Sequence, residues 1–381
     1  MRRTGMVGKR VGLVPMVAIV ACSAVNAGEV VKIGHVAPLT GGIAHLGKDN
    51  ENGARLAIEE INAKGLVIGG KPIALSLDAQ DDAADPRTAT QVAQMLVDDN
   101  VVAVVGHLNS GTTIPASRIY NDAGVVQISP SATNPAYTTQ GYKTAYRLVA
   151  TDAQQGPALA DYAFRKMGVK SVAIVDDSTA YGQGLANEFE KRAKALGIKV
   201  VLHEATSDHA VDFRAVVTKI KGANPDAIMY GGMDATGGPF AKQAKQLGVR
   251  ARLLAGDGVC SPKLADLAGD ATENVVCSEA GAALEKMPEG AVFAAKFEKR
   301  FGHPIQLYSP VTYDAVYIIV DAMKRANSTD RNAILSAMQA TDYRGVTGQT
   351  SFDRNGDLKH GVISLYRYVG GKKTLLDSVT M

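Results

Sequence analysis

The sequence predicts an α/β protein of two similar lobes, each built on a parallel central sheet, and three observations predict it. The 381 residues exceed one ordinary core, since domains usually run to about 100–200 residues. From Val30 onward, short apolar strands alternate with amphipathic helices, the period of βαβ units. Near Ser171 that alternation restarts in the same order and spacing, which fits two lobes better than one long sheet.

The first series begins with the strand "VVKIGHVAPL". In "NGARLAIEEINAKG", Leu56, Ile58 and Ile61 recur between charges and Lys64-Gly65 forms a stop, so this is a helix. After the strand "IALSLDAQDD", Asp85 caps and Pro86 opens a helix that presents Ala89, Val92, Met95 and Leu96 along one face. "VVAVVGH" is a nearly continuous apolar run, the mark of a strand covered on both faces. The stretch Tyr146 to Gln155 shows no pattern of its own and is expected to be a hinge.

The second series reads strand "SVAIVDD", helix "GQGLANEFEKRAKALG", strand "KVVLHEA", helix "DFRAVVTKIKGAN", strand "DAIMYGG", helix "GPFAKQAKQLG" and strand "ARLLAGDGV". Two further helices follow, "GAVFAAKFEKRFG" and "VTYDAVYIIVDAMKRAN". The C-terminal run then alternates apolar residues around Asn355-Gly356 and Gly370-Gly371, which predicts hairpin-like strands.

Residues 1–27 stand apart from the fold. "MRRTGMVGKR" is basic and "VGLVPMVAIVA" is an apolar stretch short for a bilayer span, so the segment reads as an export signal. Cleavage after "VNA" is preferred; a lipoprotein-type cut at Cys22 is the alternative, and both place the mature protein outside the cytoplasm. Without Arg2, Arg3, Lys9 and Arg10 the formal charge falls from +3 to −1, and no basic run remains to hold nucleic acid. Cys260 and Cys277, 17 residues apart, are expected to form one disulfide, worth about 3 kcal/mol in the chain-entropy model.

Enzyme signatures fail one by one. Gly106 to Gly111 has the spacing of a phosphate loop, but Thr112 and Thr113 stand where Lys then Ser or Thr is needed. Ser110 lacks the preceding glycine of a nucleophile elbow, the His residues are scattered, and no cofactor or metal is expected. What the turn does offer is a helix start. Asn109, Ser110, Thr112 and Thr113 sit where unpaired N–H groups and hydroxyls converge, a place for a small anion, although Ser110 or Thr112 could simply cap the helix. A second strand end carries Ser129, Ser131, Thr133 and Asn134, and consecutive parallel strands open on the same edge. In the other lobe Tyr181, Met233 and Asp257 fall at strand ends. An anion-binding edge facing a carboxylate with apolar side chains suits a zwitterion with an apolar side chain.

Several segments in order, "VKIGHVAPLTGGIAHLGKDNENGARLAIEEINAKG", "VVAVVGHLNSG", "ISPSATNP", "AIVDDSTAYGQGLA", "IMYGGMDATGGPFAKQAKQLG" and "FDRNGDLKHG", make the chain resemble the periplasmic leucine/isoleucine/valine-binding proteins of ATP-driven (ABC) transporters. The resemblance implies a type I periplasmic-binding fold of two Rossmann-like lobes joined by three crossovers, divided as 28–149 plus 280–357 and 150–279 plus 358–381 and closing over a ligand in the cleft. It places Ser110, Ser131 and Thr133, with Asn109 beside them, on the ligand carboxylate and part of the amine. Tyr181 falls on a cleft tyrosine and Asp257 on the acidic residue for the ammonium, while Leu46, Met233 and Tyr308 fall on the side-chain pocket. Departures accompany the match: Asp257 replaces a longer Glu, Leu46 and Met233 replace Tyr, and Ala84 and Asn109 occupy the family's disulfide positions. The expectation is a monomeric, non-enzymatic binding protein that passes an aliphatic L-amino acid, Leu, Ile or Val first, to a membrane permease; a sensor of the same fold is the alternative.

Overall fold

The computed structural model describes residues 28–381 together with Met1, Arg2, residues 4–6 and Gly8; the expected signal segment and Cys22 lie almost wholly outside the described residues. The chain runs β1 (Glu29–Ala37), α1 (Ala44–Lys64), β2 (Leu66–Ile68), β3 (Lys71–Asp81), α2 (Pro86–Asp98), β4 (Ala103–Gly106), α3 (Ser110–Asp122), β5 (Val126–Ser129) and β6 (Ala145–Arg147). It continues with α4 (Asp152–Arg165), β7 (Ser171–Asp176), α5 (Ala180–Ala195), β8 (Lys199–Ala205), α6 (Arg214–Ala223), β9 (Ala227–Gly231), α7 (Asp234–Gln246), β10 (Arg252–Ala255), α8 (Leu264–Ala268) and β11 (Val275–Glu279). The last elements are α9 (Gly290–Phe301), α10 (Ser309–Ala326), α11 (Arg331–Met338), β12 (Tyr343–Gly345), β13 (Gly348–Thr350), β14 (Val362–Val369) and β15 (Lys372–Thr380).

Two large sheets result, in strand orders β2-β3-β1-β4-β5-β6 and β15-β14-β11-β10-β9-β7-β8, beside a separate antiparallel β12–β13 pair. Within the two large sheets pairing is parallel except at β2–β3, β11–β14 and β14–β15. Helices α9, α10 and α11 return to the first sheet, where Phe293, Val316 and Ile334 share a core with Ile33, Val105 and Ile128. The second lobe holds its own cores around Phe240 and Phe189. Strands with helices on both faces explain why β4, β5 and β9 are buried along their whole length, and why β4 and β9 are apolar or small throughout.

The chain leaves the first sheet after β6, leaves the second after β11 and re-enters it at β14. The stretch expected to be patternless is more ordered than its sequence suggests: Tyr146 and Arg147 lie in β6, and α4 starts at Asp152 behind a capping box of Thr151 and Gln154. A three-residue strand is too short to show a period, but the Thr-x-x-Gln box was readable. Helix α11 and the β12–β13 hairpin were not anticipated. Around Asn355-Gly356 the expected strands reduce to one bridge, Phe352 to Leu358.

That bridge serves the crossing. Arg147 is fully buried; its guanidinium donates to Asp357 at 2.8 Å, to the Ala132 and Asn134 carbonyls at 2.6 and 3.0 Å, and to the Thr138 hydroxyl at 2.9 Å. Asp357→Asn removes the only carboxylate on this cation, so the expected loss is about 3–5 kcal/mol of stability, read as a lower urea midpoint.

An inter-lobe cleft with a buried acidic floor

Gly106 ends β4 at φ +137°, and a Cβ there would stand 2.3 Å from the Val36 carbonyl oxygen, so only glycine lets β4 press against β1 before the chain turns. His107 then anchors the turn from below: its ring contacts Asp82 Oδ2 at 2.8 Å and the Tyr120 hydroxyl at 3.1 Å, all three residues being fully buried. Its carbonyl accepts from the Ser129 hydroxyl at 2.8 Å. The two hydroxyl-rich turns are thereby tied together. Ser131 Oγ donates to the Leu108 carbonyl at 2.9 Å, and the Asn134 N–H donates to Ser110 Oγ at 3.2 Å.

This disposes of the simpler reading of the first turn. Ser110 is the first residue of α3, the N-cap Asn109 makes no side-chain cap bond, and Thr112 donates back to the Asn109 carbonyl. The first N–H groups of α3 thus lack a side-chain cap. Two buried polar atoms here have no partner, Thr133 Oγ1 and Asn109 Oδ1. A Ser110 hydroxyl that accepts one bond still has its proton to give.

Opposite them, the loop after β10 carries Asp257, 2% exposed. Tyr181, in the first turn of α5, donates to Asp257 Oδ1 at 3.0 Å and accepts the Gly258 N–H at 3.0 Å. Tyr308, from the first lobe, donates to Oδ2 at 2.6 Å. Burial raises the Asp257 pKa, and these two phenols hold it down in part. Tyr308 is itself aimed by Asp49, whose carboxylate accepts the backbone N–H groups of Gln306, Leu307, Tyr308 and Ser309 at 2.8–3.0 Å.

Leu46, Tyr308, Ile43 and Leu108 are buried together in one apolar cluster, with Met233 and Ala235 of the second lobe packed against it. The three residues expected to line a side-chain pocket therefore meet. Beside them opens a cavity of about 520 Å³ between the lobes, lined by Gly41, Ile43 and Asn109 on one side and by Thr179, Tyr181 and Met233 on the other. Ser110, Ser131, Thr133 and Asp257 do not line it and are closed off from solvent. Cys260 and Cys277 are joined, tying the Asp257 loop to β11.

Sequence reasoning missed Asp152. This residue is fully buried at the first turn of α4, its backbone N–H donating to the Thr133 carbonyl at 2.9 Å, and neither carboxyl oxygen has a partner. Burial pushes its pKa up to about 8, the Asp257 charge adds to the rise, and the Thr133 hydroxyl and Arg147 oppose it. Gln155 Oε1, one turn on, is also unpartnered. The cleft floor is therefore a set of buried acceptors awaiting a donor.

Comparison with known proteins agrees with this geometry. The family model described as periplasmic binding protein matches residues 30–372. A leucine-, isoleucine-, valine-, threonine- and alanine-binding protein of Pseudomonas aeruginosa is 34% identical over 342 residues, covering 90% of this chain and 91% of the relative. Among solved structures, a leucine-binding protein of Thermotoga maritima superposes with TM-score 0.85 at 27% identity, covering 92% of this chain and 98% of that one. The branched-chain amino acid transporter substrate-binding protein of Streptococcus pneumoniae, in complex with isoleucine, gives TM-score 0.82 at 27% identity, covering 93% and 99%. With the family matched over nearly the whole described chain and the two-lobed fold shared, this chain belongs to the periplasmic binding protein family.

Proposed function

We propose that this protein captures an aliphatic L-amino acid between its lobes, outside the cytoplasm, and delivers it to the permease of an ABC transporter, without catalysis. The observation that carries the reading is the pairing of an unpartnered acidic floor with hydroxyl-rich turns at a helix start. A zwitterion satisfies both at once. Its carboxylate accepts from the first N–H groups of α3 and the hydroxyls of Ser110, Ser131 and Thr133. Its ammonium donates to Asp257 and Asp152. The side chain lies against Leu46, Met233 and Tyr308, with Asn109 and Tyr181 at the cavity wall.

The shorter Asp257 is compensated by its surroundings. The Tyr308 hydroxyl crosses from the other lobe to reach it, so a tight closure stands in for the missing methylene. An apolar pocket separates side chains differing by one methylene by only about 1–3 kcal/mol, so Leu, Ile and Val are all ligands and anionic side chains are rejected. The relatives' names, which speak of leucine, isoleucine and valine, support this ligand class. In this reading the lobes divided as 28–149 plus 280–357 and 150–279 plus 358–381 close as rigid bodies, and the protein works as a monomer.

The test is isothermal titration of ligand-stripped protein with Leu, Ile, Val, Ala, Phe, Glu and 4-aminobutyrate. Heat with the aliphatic members at micromolar affinity, about −8 kcal/mol, is the expected result. Heat with none of the α-amino acids would overturn it.

A further inference from the structure

One contact across the cleft is not used by the zwitterion chemistry. His45 of α1 places Nε2 2.7 Å from Oδ2 of Asp234, the first residue of α7 in the opposite lobe. Asp234 is fully buried and its Oδ1 has no partner. Within its own lobe the carboxylate meets the Ser261 hydroxyl and no basic group. The contact sits at the pocket itself: His45 precedes Leu46, Asp234 follows Met233, and a Cβ on Gly42 would stand 3.1 Å from the Ala235 side chain.

We infer that the His45–Asp234 contact is a closure bridge that sets how long the ligand is retained, with His45 as a positioning residue that never touches the ligand. The inference rests on the amino-acid-binding reading above. The physical ground is an asymmetry between open and closed forms. With the lobes apart, Asp234 is hydrated and needs no partner. Closed, it is a buried carboxylate whose one cation-capable partner among the described residues is His45, and a buried charge without a partner is costly. The bridge also reaches the ammonium site. Ser261 lies on the loop that carries Asp257, where the Cys260 N–H donates to the Asp257 carbonyl at 2.9 Å, the Cys260–Cys277 bond fixes the loop to β11, and Tyr368 donates to the Ser261 carbonyl at 2.7 Å.

His45→Ala therefore penalises the closed form alone. Release of radiolabelled L-leucine into excess unlabelled leucine is expected to speed up at least about 30-fold, with the association rate unchanged. His45→Ala with Asp234→Asn, which removes the stranded charge, should recover most of that loss. His45→Gln, which keeps a donor towards Asp234, should release leucine near the wild-type rate. A merely structural histidine would show neither recovery, and an unchanged release rate in His45→Ala overturns the bridge.

If the wild-type protein takes up no amino acid, the binding reading fails by itself. The bridge is then judged by single-molecule distance measurements, with one fluorophore on each lobe of the full chain. A closed state that dwells for a shorter time in His45→Ala than in wild type supports it, and equal dwell times overturn it.

Discussion

Asp257→Ala lowers the affinity for aliphatic amino acids by about 30-fold to several thousand-fold while leaving the fold intact. The range follows from the cost of truncating one member of a buried, hydrogen-bonded charge pair, about 2–5 kcal/mol, much of which is the penalty of a desolvated ammonium left with one of its two carboxylates. Stability moves little, because removing a carboxylate that burial already disfavours offsets the two phenol hydroxyls left without their acceptor, and the local backbone stays pinned. Tyr181 still accepts the Gly258 N–H, and the Tyr308 backbone remains held by Asp49. Titration calorimetry beside far-ultraviolet circular dichroism checks both halves. Native affinity in the folded variant would place the ammonium elsewhere.

Binding also releases a proton. In the ligand-free protein the Asp152 carboxyl is pushed up to about 8 by burial and by the charge of Asp257, so near neutrality it is largely protonated. An ammonium between the two carboxylates favours the ionised form. Affinity should therefore climb with pH, by up to about tenfold per unit on the acid side of about pH 8, and level off above. Stability of the ligand-free protein runs the other way. The folded pKa of Asp152 lies above its ordinary value of 3.8, so the folded form binds the extra proton. Its contribution is complete below about pH 4 and is lost as pH rises through about 8. Titrations at pH 6.5 in buffers of different ionisation enthalpy should return close to one proton released per amino acid. Asp152→Asn should abolish both the release and the opposing stability slope, and heats independent of the buffer would refute the coupling.

Much of the fold was legible because its helices are long and their faces clean: α1, α2, α5 and α10 declare themselves by period, cap or stop. What escaped is short. Helix α11 has eight residues and β6, β12 and β13 have three each, too few for a period to stand out from chance. The hydroxyl-rich turns could be read because strand ends of a parallel sheet share an edge. Asp152 could not, since in sequence it is an acidic residue in the first turn of a capped helix, where solvated carboxylates are common. The packing of α4 against the Thr133 turn and against Gly184 of α5 is what buries it, without a partner among the described residues. His45 and Asp234, 189 residues apart, carry no local sign of their meeting.

Asp49 has a consequence for the speed of capture. By gathering four successive backbone N–H groups, it turns the loop before α10 into a rigid mount, so the Tyr308 hydroxyl travels with the first lobe as a finished part. The entropy of ordering that loop is spent during folding, not at each encounter with an amino acid. The gate that closes on the ligand then needs no local refolding, and arrival of the second lobe is the only motion left to wait for.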